Sequence, residues 1–143
     1  MAIFKRSYFV NASPKAVFNL VNDTEYYKHM LPYCLDSGVV ELISDHEKEA
    51  FLVIGYMGFT YRLVTNNTLY PHHKIKVRSL AGDIDLIEGE WIFDQEGDGT
   101  NVSVVFEYQF TNAIVGKVFE VALEKMLSEL IESFENHLER YYE

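Results

Sequence analysis

The stretch Val102-Ser-Val-Val-Phe-Glu-Tyr-Gln-Phe110 alternates on a two-residue period, and the chain beyond it changes to a helical one. Val102, Val104, Phe106, Tyr108 and Phe110 share one face of a strand, and Ser103, Val105, Glu107 and Gln109 share the other. From about Ile114 to Tyr141 the chain reads as one long amphipathic helix. Val115, Phe119, Ala122, Met126, Leu130, Phe134 and Leu138 form its apolar stripe. At ~1.5 Å per residue such a helix spans roughly 40 Å. Laid across a curved sheet, it either fills the core or stands off and leaves an apolar hollow, which is the usual form of a ligand site.

Working back from this stretch, residues 3–10 read as a first strand. Ser13 is suited to cap a helix whose first position is Pro14, so a short helix is expected over 15–21. Asn22-Asp23-Thr24 interrupts it, and a second short helix over 25–30 stops before Pro32. Residues 35–111 then read as strands, at 37–44, 48–57, 59–70, 74–81, 85–94 and 101–111. The breaks between them are short, which makes neighbours antiparallel. Gly97-Asp98-Gly99 has the composition of a hairpin turn. Phe59, Tyr61 and Leu63 share a face, as do Ile87, Gly89, Trp91 and Phe93, so one face of the sheet is rich in aromatics. The expected architecture is α+β: a helix-grip fold. Seven antiparallel strands wrap a long C-terminal helix, and two short helices after the first strand close one end. Residues 1–143 are read as a single domain.

Composition narrows the function. The chain has 143 residues, 48% of them hydrophobic and 15% aromatic, which suits a globular core. No apolar run reaches the ~18 residues of a membrane span, and the N-terminus lacks the apolar core of a signal peptide. The single cysteine, Cys34, excludes an internal disulfide and a cysteine-based zinc site, and fits a reducing cytoplasm. A net charge of −10 repels nucleic acid and anionic lipid at long range, so no DNA partner is expected. The densest basic run is His72-His-Lys-Ile-Lys-Val-Arg78, in which Lys74, Lys76 and Arg78 share one strand face.

Catalytic motifs are missing. There is no Gly-rich phosphate loop, no G-x-S-x-G elbow and no H-E-x-x-H. His72 and His73 are adjacent, so on a strand they point to opposite faces and cannot share a metal. Cys34 suits a small buried residue better than a nucleophile. Glu88, Glu90 and Glu107 alternate to the outward face. Tyr56, Tyr61 and Tyr108 could offer hydroxyls to a polar headgroup. An apolar lining with few convergent polar groups suits a binder better than an enzyme.

Three clusters carry a family resemblance: Asn22-Asp-x-x-x-Tyr27-x-x-x-Leu31-Pro32-x-Cys34; Leu80-x-Gly82 with Gly89-x-Trp91-x-Phe93; and Phe106-Glu-Tyr-x-Phe110-x-Asn112. Over about residues 5–141 the chain resembles the coenzyme Q-binding and ribosome association toxin RatA subgroup of the START-like (polyketide cyclase/dehydrase and lipid transport) superfamily. It departs from the family at Gly82-Asp83-Ile84, where a Gly-Pro-Phe-like turn is usual, and at Glu90, where glycine is common. The resemblance implies a hydrophobic cavity and no demonstrated catalysis. It implies either of two roles: binding ubiquinone or a related isoprenoid in support of respiration, or docking on the large ribosomal subunit to block subunit association. Related helix-grip proteins act as polyketide cyclases or aromatases, a role that requires an ionisable group inside the cavity.

On this reading the ligand-binding residues are Tyr27, Leu31, Tyr61, Trp91, Tyr108, Phe119, Met126 and Phe134, with no metal and no cofactor other than a bound ubiquinone. The quinone role implies transient contact with a membrane. It would place a cytoplasmic protein at the periphery of the inner membrane, with Tyr26, Tyr27, Met30, Leu31 and Tyr33 as the gate.

Overall fold

The computed structural model describes residues 2–82, 86–110 and 112–137. β1 (Ala2–Val10) leads into α1 (Pro14–Asn22), a 3-10 turn (Thr24–Tyr26) and the single-turn α2 (Tyr27–Met30). Six strands follow: β2 (Cys34–Ser44), β3 (Glu47–Tyr56), β4 (Phe59–Tyr70), β5 (Lys74–Gly82), β6 (Leu86–Glu96) and β7 (Gly99–Gln109). The chain then enters α3 (Ala113–His137). All seven strands form one antiparallel sheet in the order β1-β7-β6-β5-β4-β3-β2, so the first strand returns to pair with the last. With α3 packed on its buried face, this is the helix-grip arrangement expected from the sequence.

Local chemistry sets the boundaries. The Ser13 hydroxyl accepts the Ala16 amide at 3.2 Å and Pro14 occupies the first turn, so α1 begins where the capping signals put it. The second expected helix over 25–30 is instead a 3-10 turn running into four α-helical residues. β2 starts at Cys34, three residues earlier than expected. Pairing holds it there from Cys34 opposite Ile54, through three register shifts along the strand. The β6–β7 hairpin closes on Gly97-Asp98, with the left-handed φ of 59° carried by Gly97. The β3–β4 hairpin closes on Met57-Gly58, where both residues have positive φ.

The alternation in the sequence sorts the two faces of the sheet. Val102, Val104, Phe106 and Tyr108 of β7, and Ile87, Trp91 and Phe93 of β6, are buried. They face α1, which buries Ala16, Val17, Phe18, Leu20 and Val21, and they face α3. The buried side of α3 is wider than the expected stripe. Leu123 and Leu127 are buried beside Phe119, Ala122, Met126 and Leu130. A helix pressed on a sheet covers an arc of ≳ 100°, not the narrow seam of a coiled coil. The Phe134 side chain, Leu138, the expected helix tail to Tyr141 and the Asp83-Ile84-Asp85 loop lie outside the described residues.

At Gly89 the strands β6 and β7 leave no room for a side chain. A Cβ built there would stand 2.1 Å from the Val105 carbonyl oxygen and 2.4 Å from the Phe106 ring, and neither β7 backbone nor a buried ring can retreat. Gly89→Ala is therefore expected to cost ~3 kcal/mol or more by overpacking. Urea unfolding of the variant measures it, and a loss under about 0.5 kcal/mol, the range of an ordinary surface substitution, would show that β6 and β7 separate easily.

Candidate functional site

Between the sheet and the middle of α3 lies a cavity of about 80 Å³. Its walls are largely aliphatic: Ile54 of β3, Leu63 of β4, Ile75 of β5 and Ile87 of β6 from the sheet, with Leu123, Met126, Leu127 and Leu130 of α3 above. Trp91 and Phe106 supply the aromatic surface. The polar members of the lining, Asn22, Thr24, Tyr27, Thr65 and Asn67, belong to α1, the segment after it, and β4. Among the described residues the lining holds no Asp, Glu, His, Cys, Lys or Arg, and no group of three or more possible metal ligands occurs.

One end of the space is stopped by aromatics. Phe119 is fully buried, with its ring centroid 5.3 Å from Tyr61, 5.5 Å from Tyr108 and 5.2 Å from Phe110. The Tyr61 hydroxyl donates to the Val115 carbonyl at 3.0 Å, in the first turn of α3. The Asn112 side chain accepts the Ile114 amide at 2.9 Å and the Val115 amide at 3.3 Å, so it caps the same helix. Burial pushes the Tyr61 phenol up. Burial, then the Glu120 carboxylate, pushes the Tyr108 phenol up to about 12.

Of the residues selected from sequence, Tyr27, Trp91 and Met126 line the cavity. Leu31, Tyr61, Tyr108 and Phe119 are buried but are not part of its lining: the last three build the aromatic stop, and Leu31 packs in the core between α2 and β2. Phe134 lies outside the described side chains. The expected gate needs correction. Of its five residues Tyr27, Met30 and Leu31 are buried and Tyr26 and Tyr33 half-buried, and the Tyr27 hydroxyl donates to the Val21 carbonyl. With Leu31 only 2% exposed, an aspartate there strikes the core itself, because this short segment folds inward to cover the end of the sheet. The Cys34 thiol is raised, first by burial, and donates to the Asp36 carbonyl at 3.2 Å, as befits a small packed residue.

The residue that sequence reading passed over is Lys48. It is 5% exposed, which is rare for lysine. Its ammonium donates to the Asn22 carbonyl at the end of α1 and approaches the Thr24 hydroxyl at 3.4 Å. A cation suits that position, because the last carbonyls of a helix lack intrahelical donors and carry partial negative charge. Burial nevertheless lowers the Lys48 pKa from 10.5 to about 8, against the opposing pull of Asp23 and Glu25. A signal was present in the sequence: Lys48 alternates in phase with Ala50, Leu52 and Ile54. The basic stripe on the outer face is met by acids across β5–β6. Lys76 stands opposite Glu90 and Arg78 opposite Glu88, and Lys74 lies 3.9 Å from Glu90.

Sequence comparison agrees with the fold. Residues 10–135 match the family described as polyketide cyclase / dehydrase and lipid transport. The chain belongs to that family. The ribosome association toxin RatA of Rickettsia prowazekii (strain Madrid E) is 26% identical over 140 residues, covering 89% of this chain and 92% of that one. A crystal structure of a Thermus thermophilus protein aligns with a TM-score of 0.81 at 25% identity, covering 92% of this chain and 95% of that one. The Zhui aromatase/cyclase of Streptomyces sp. R1128 also aligns at 0.81, with 15% identity and 97% and 94% coverage, and shares the fold. No helix among the described residues is long and apolar enough to cross a membrane.

The buried lysine of this family member makes a pH prediction. The folded pKa, about 8, lies below the 10.5 of the unfolded chain, so the unfolded state holds the proton more tightly. Stability then rises with pH between these two values and is lowest below the folded one. Measured against Lys48→Met, which cancels other titrations, the wild type should gain roughly 2 kcal/mol between about pH 7 and about pH 9.5. Denaturant unfolding of both proteins at the two pH values checks this. A difference that does not move would mean that Lys48 keeps its ordinary pKa.

Proposed function

We propose that this chain is a non-catalytic binder of an apolar ligand of the isoprenoid-quinone class, such as ubiquinone. The ligand is held between the sheet and α3, in support of respiratory electron transport. The observation that carries this reading is the lining of the cavity: aliphatic and aromatic on nearly every side, with Tyr27 its sole ionisable side chain among the described residues. An acid–base reaction needs a group that gains or loses a proton near neutral pH, and the Tyr27 hydroxyl is already engaged with the Val21 carbonyl. The same absence argues against a cyclase or aromatase activity.

Volume sets a condition on this function. A cavity of about 80 Å³ is smaller than the ~150 Å³ that holds benzene in an engineered protein core. A quinone ring therefore enters only if the walls part. The wall best suited to move is α3, whose contribution includes Met126, a flexible and polarisable side chain that adapts to irregular shapes. Loading would take place at a membrane surface, with the protein otherwise cytoplasmic.

A second reading is favoured by the relatives. The Rickettsia prowazekii protein named as a ribosome association toxin aligns along most of both chains, which supports docking of this chain on the large ribosomal subunit. Against it stand the net charge of −10, the Lys74–Glu90 ion pair, and the glutamates Glu90 and Glu88 that stand opposite Lys76 and Arg78 across the strands. Co-sedimentation with large subunits at low salt would support that role, and its absence would remove it.

The ligand-binding reading is tested through Trp91, the one tryptophan of the chain, which lines the cavity. Its emission should change saturably on titration with a short-chain ubiquinone analogue. Leu127→Ala, which enlarges the cavity, should bind the analogue more tightly while losing ~2–5 kcal/mol of stability. A non-saturating change, or an affinity indifferent to the enlarged cavity, would contradict cavity binding.

A further inference from the structure

The cavity has a polar end, and its hydrogen bonds are incomplete. Where α1 gives way to the 3-10 turn, Asn22 and Thr24 face the strand pair β3–β4, in which Lys48 stands directly opposite Asn67. Most of the polar atoms there have partners. Lys48 donates to the Asn22 backbone carbonyl and to Thr24, and the Thr65 hydroxyl donates to the Asn67 side-chain oxygen at 2.8 Å. The Asn22 side-chain oxygen is the exception: it is buried and accepts no hydrogen bond. A buried acceptor left without a donor is costly, so an empty acceptor beside a ligand cavity is a place for a ligand's donor.

We propose that this end is a headgroup subsite for an uncharged hydroxyl-bearing amphiphile. The ligand's O–H donates to Asn22 Oδ1, and its apolar body lies against Trp91 and Met126. The inference rests on the apolar-ligand reading above and sharpens it. A quinone offers carbonyl and ether oxygens, which only accept; the hydroquinone carries O–H groups. The subsite therefore selects the reduced form over the oxidised one, and hydroxylated amphiphiles over pure hydrocarbons. An anionic head is not suited to this place, since the Asp23 and Glu25 carboxylates already act on the Lys48 ammonium there.

Three probes of nearly equal shape separate these terms. Para-cresol has the donor, para-xylene replaces its hydroxyl by a methyl group, and para-methylanisole keeps the oxygen but has no O–H. Binding is read by Trp91 emission, excited at the red edge where the probes do not absorb, and by protein methyl shifts. The wild type should favour para-cresol over both others by about tenfold or more. Asn22→Leu should abolish that preference while still binding para-xylene. Equal affinities in the wild type overturn the subsite and leave the apolar cavity standing, and this arm needs no variant to fold. A preference that survives Asn22→Leu also overturns it. If none of the three binds, the cavity reading fails and the subsite fails with it.

Discussion

The wedge of Phe119 between Tyr61, Tyr108 and Phe110 fixes how far α3 stands from the sheet. Rings of this size bury much area and hold definite mutual geometry, so they set a spacing that smaller neighbours must accept. The Tyr61–Val115 hydrogen bond and the Asn112 cap pin the first turn of the helix at that spacing. Further along, the helix presents Leu123, Met126, Leu127 and Leu130 towards Ile54, Leu63, Ile75 and Ile87, and between these aliphatic surfaces the cavity opens. The hollow is thus a consequence of bulk placed at one end of the helix, with the remainder of the sheet face left to side chains that do not fill the gap.

The opposite end of the space is organised by the break between α1 and the short segment after it. Ending a helix inside a protein leaves carbonyls that need donors. Lys48 meets that need from β3, at the cost of burying an ammonium group, and Asp23 and Glu25 partly offset that cost. The same break brings Asn22 and Thr24 to the cavity wall. A polar end facing an otherwise apolar enclosure is the arrangement expected for an amphiphilic occupant. The same break turns Tyr27, Met30 and Leu31 of the short segment inward, while Tyr26 and Tyr33 stay half-buried.

The strands were legible because alternation is a local property. β4 at 59–70, the capped start of α1 and the inward faces of β6 and β7 could all be read from residue order. The two-residue period also carried the burial of Lys48 and Asn67, in phase with Ala50, Ile54, Tyr61 and Leu63. The usual expectation that lysine lies outside hid it, because the partner that makes its burial tolerable, the Asn22 carbonyl, is 26 residues away in sequence. Tyr27, Trp91 and Met126 could be placed near the cavity by their faces and by family resemblance. Whether Phe119 and Tyr108 would line a hollow or close it depends on ring packing across three elements, which no spacing rule contains. The size of the cavity is likewise a tertiary quantity, set by where one large ring sits.

Methyl-resolved NMR of the intact protein during addition of a short-chain ubiquinol tests the central claim most directly, since it reports which walls the occupant touches. The account expects shifts at Leu123, Met126, Leu127 and Leu130 of α3 and at Ile54, Ile75 and Ile87 of the sheet. The exposed apolar residues Leu42 and Ile43 of β2 should remain unmoved. Shifts confined to Leu42, Ile43 and other surface methyls, with the α3 and sheet methyls unchanged at saturation, would contradict it.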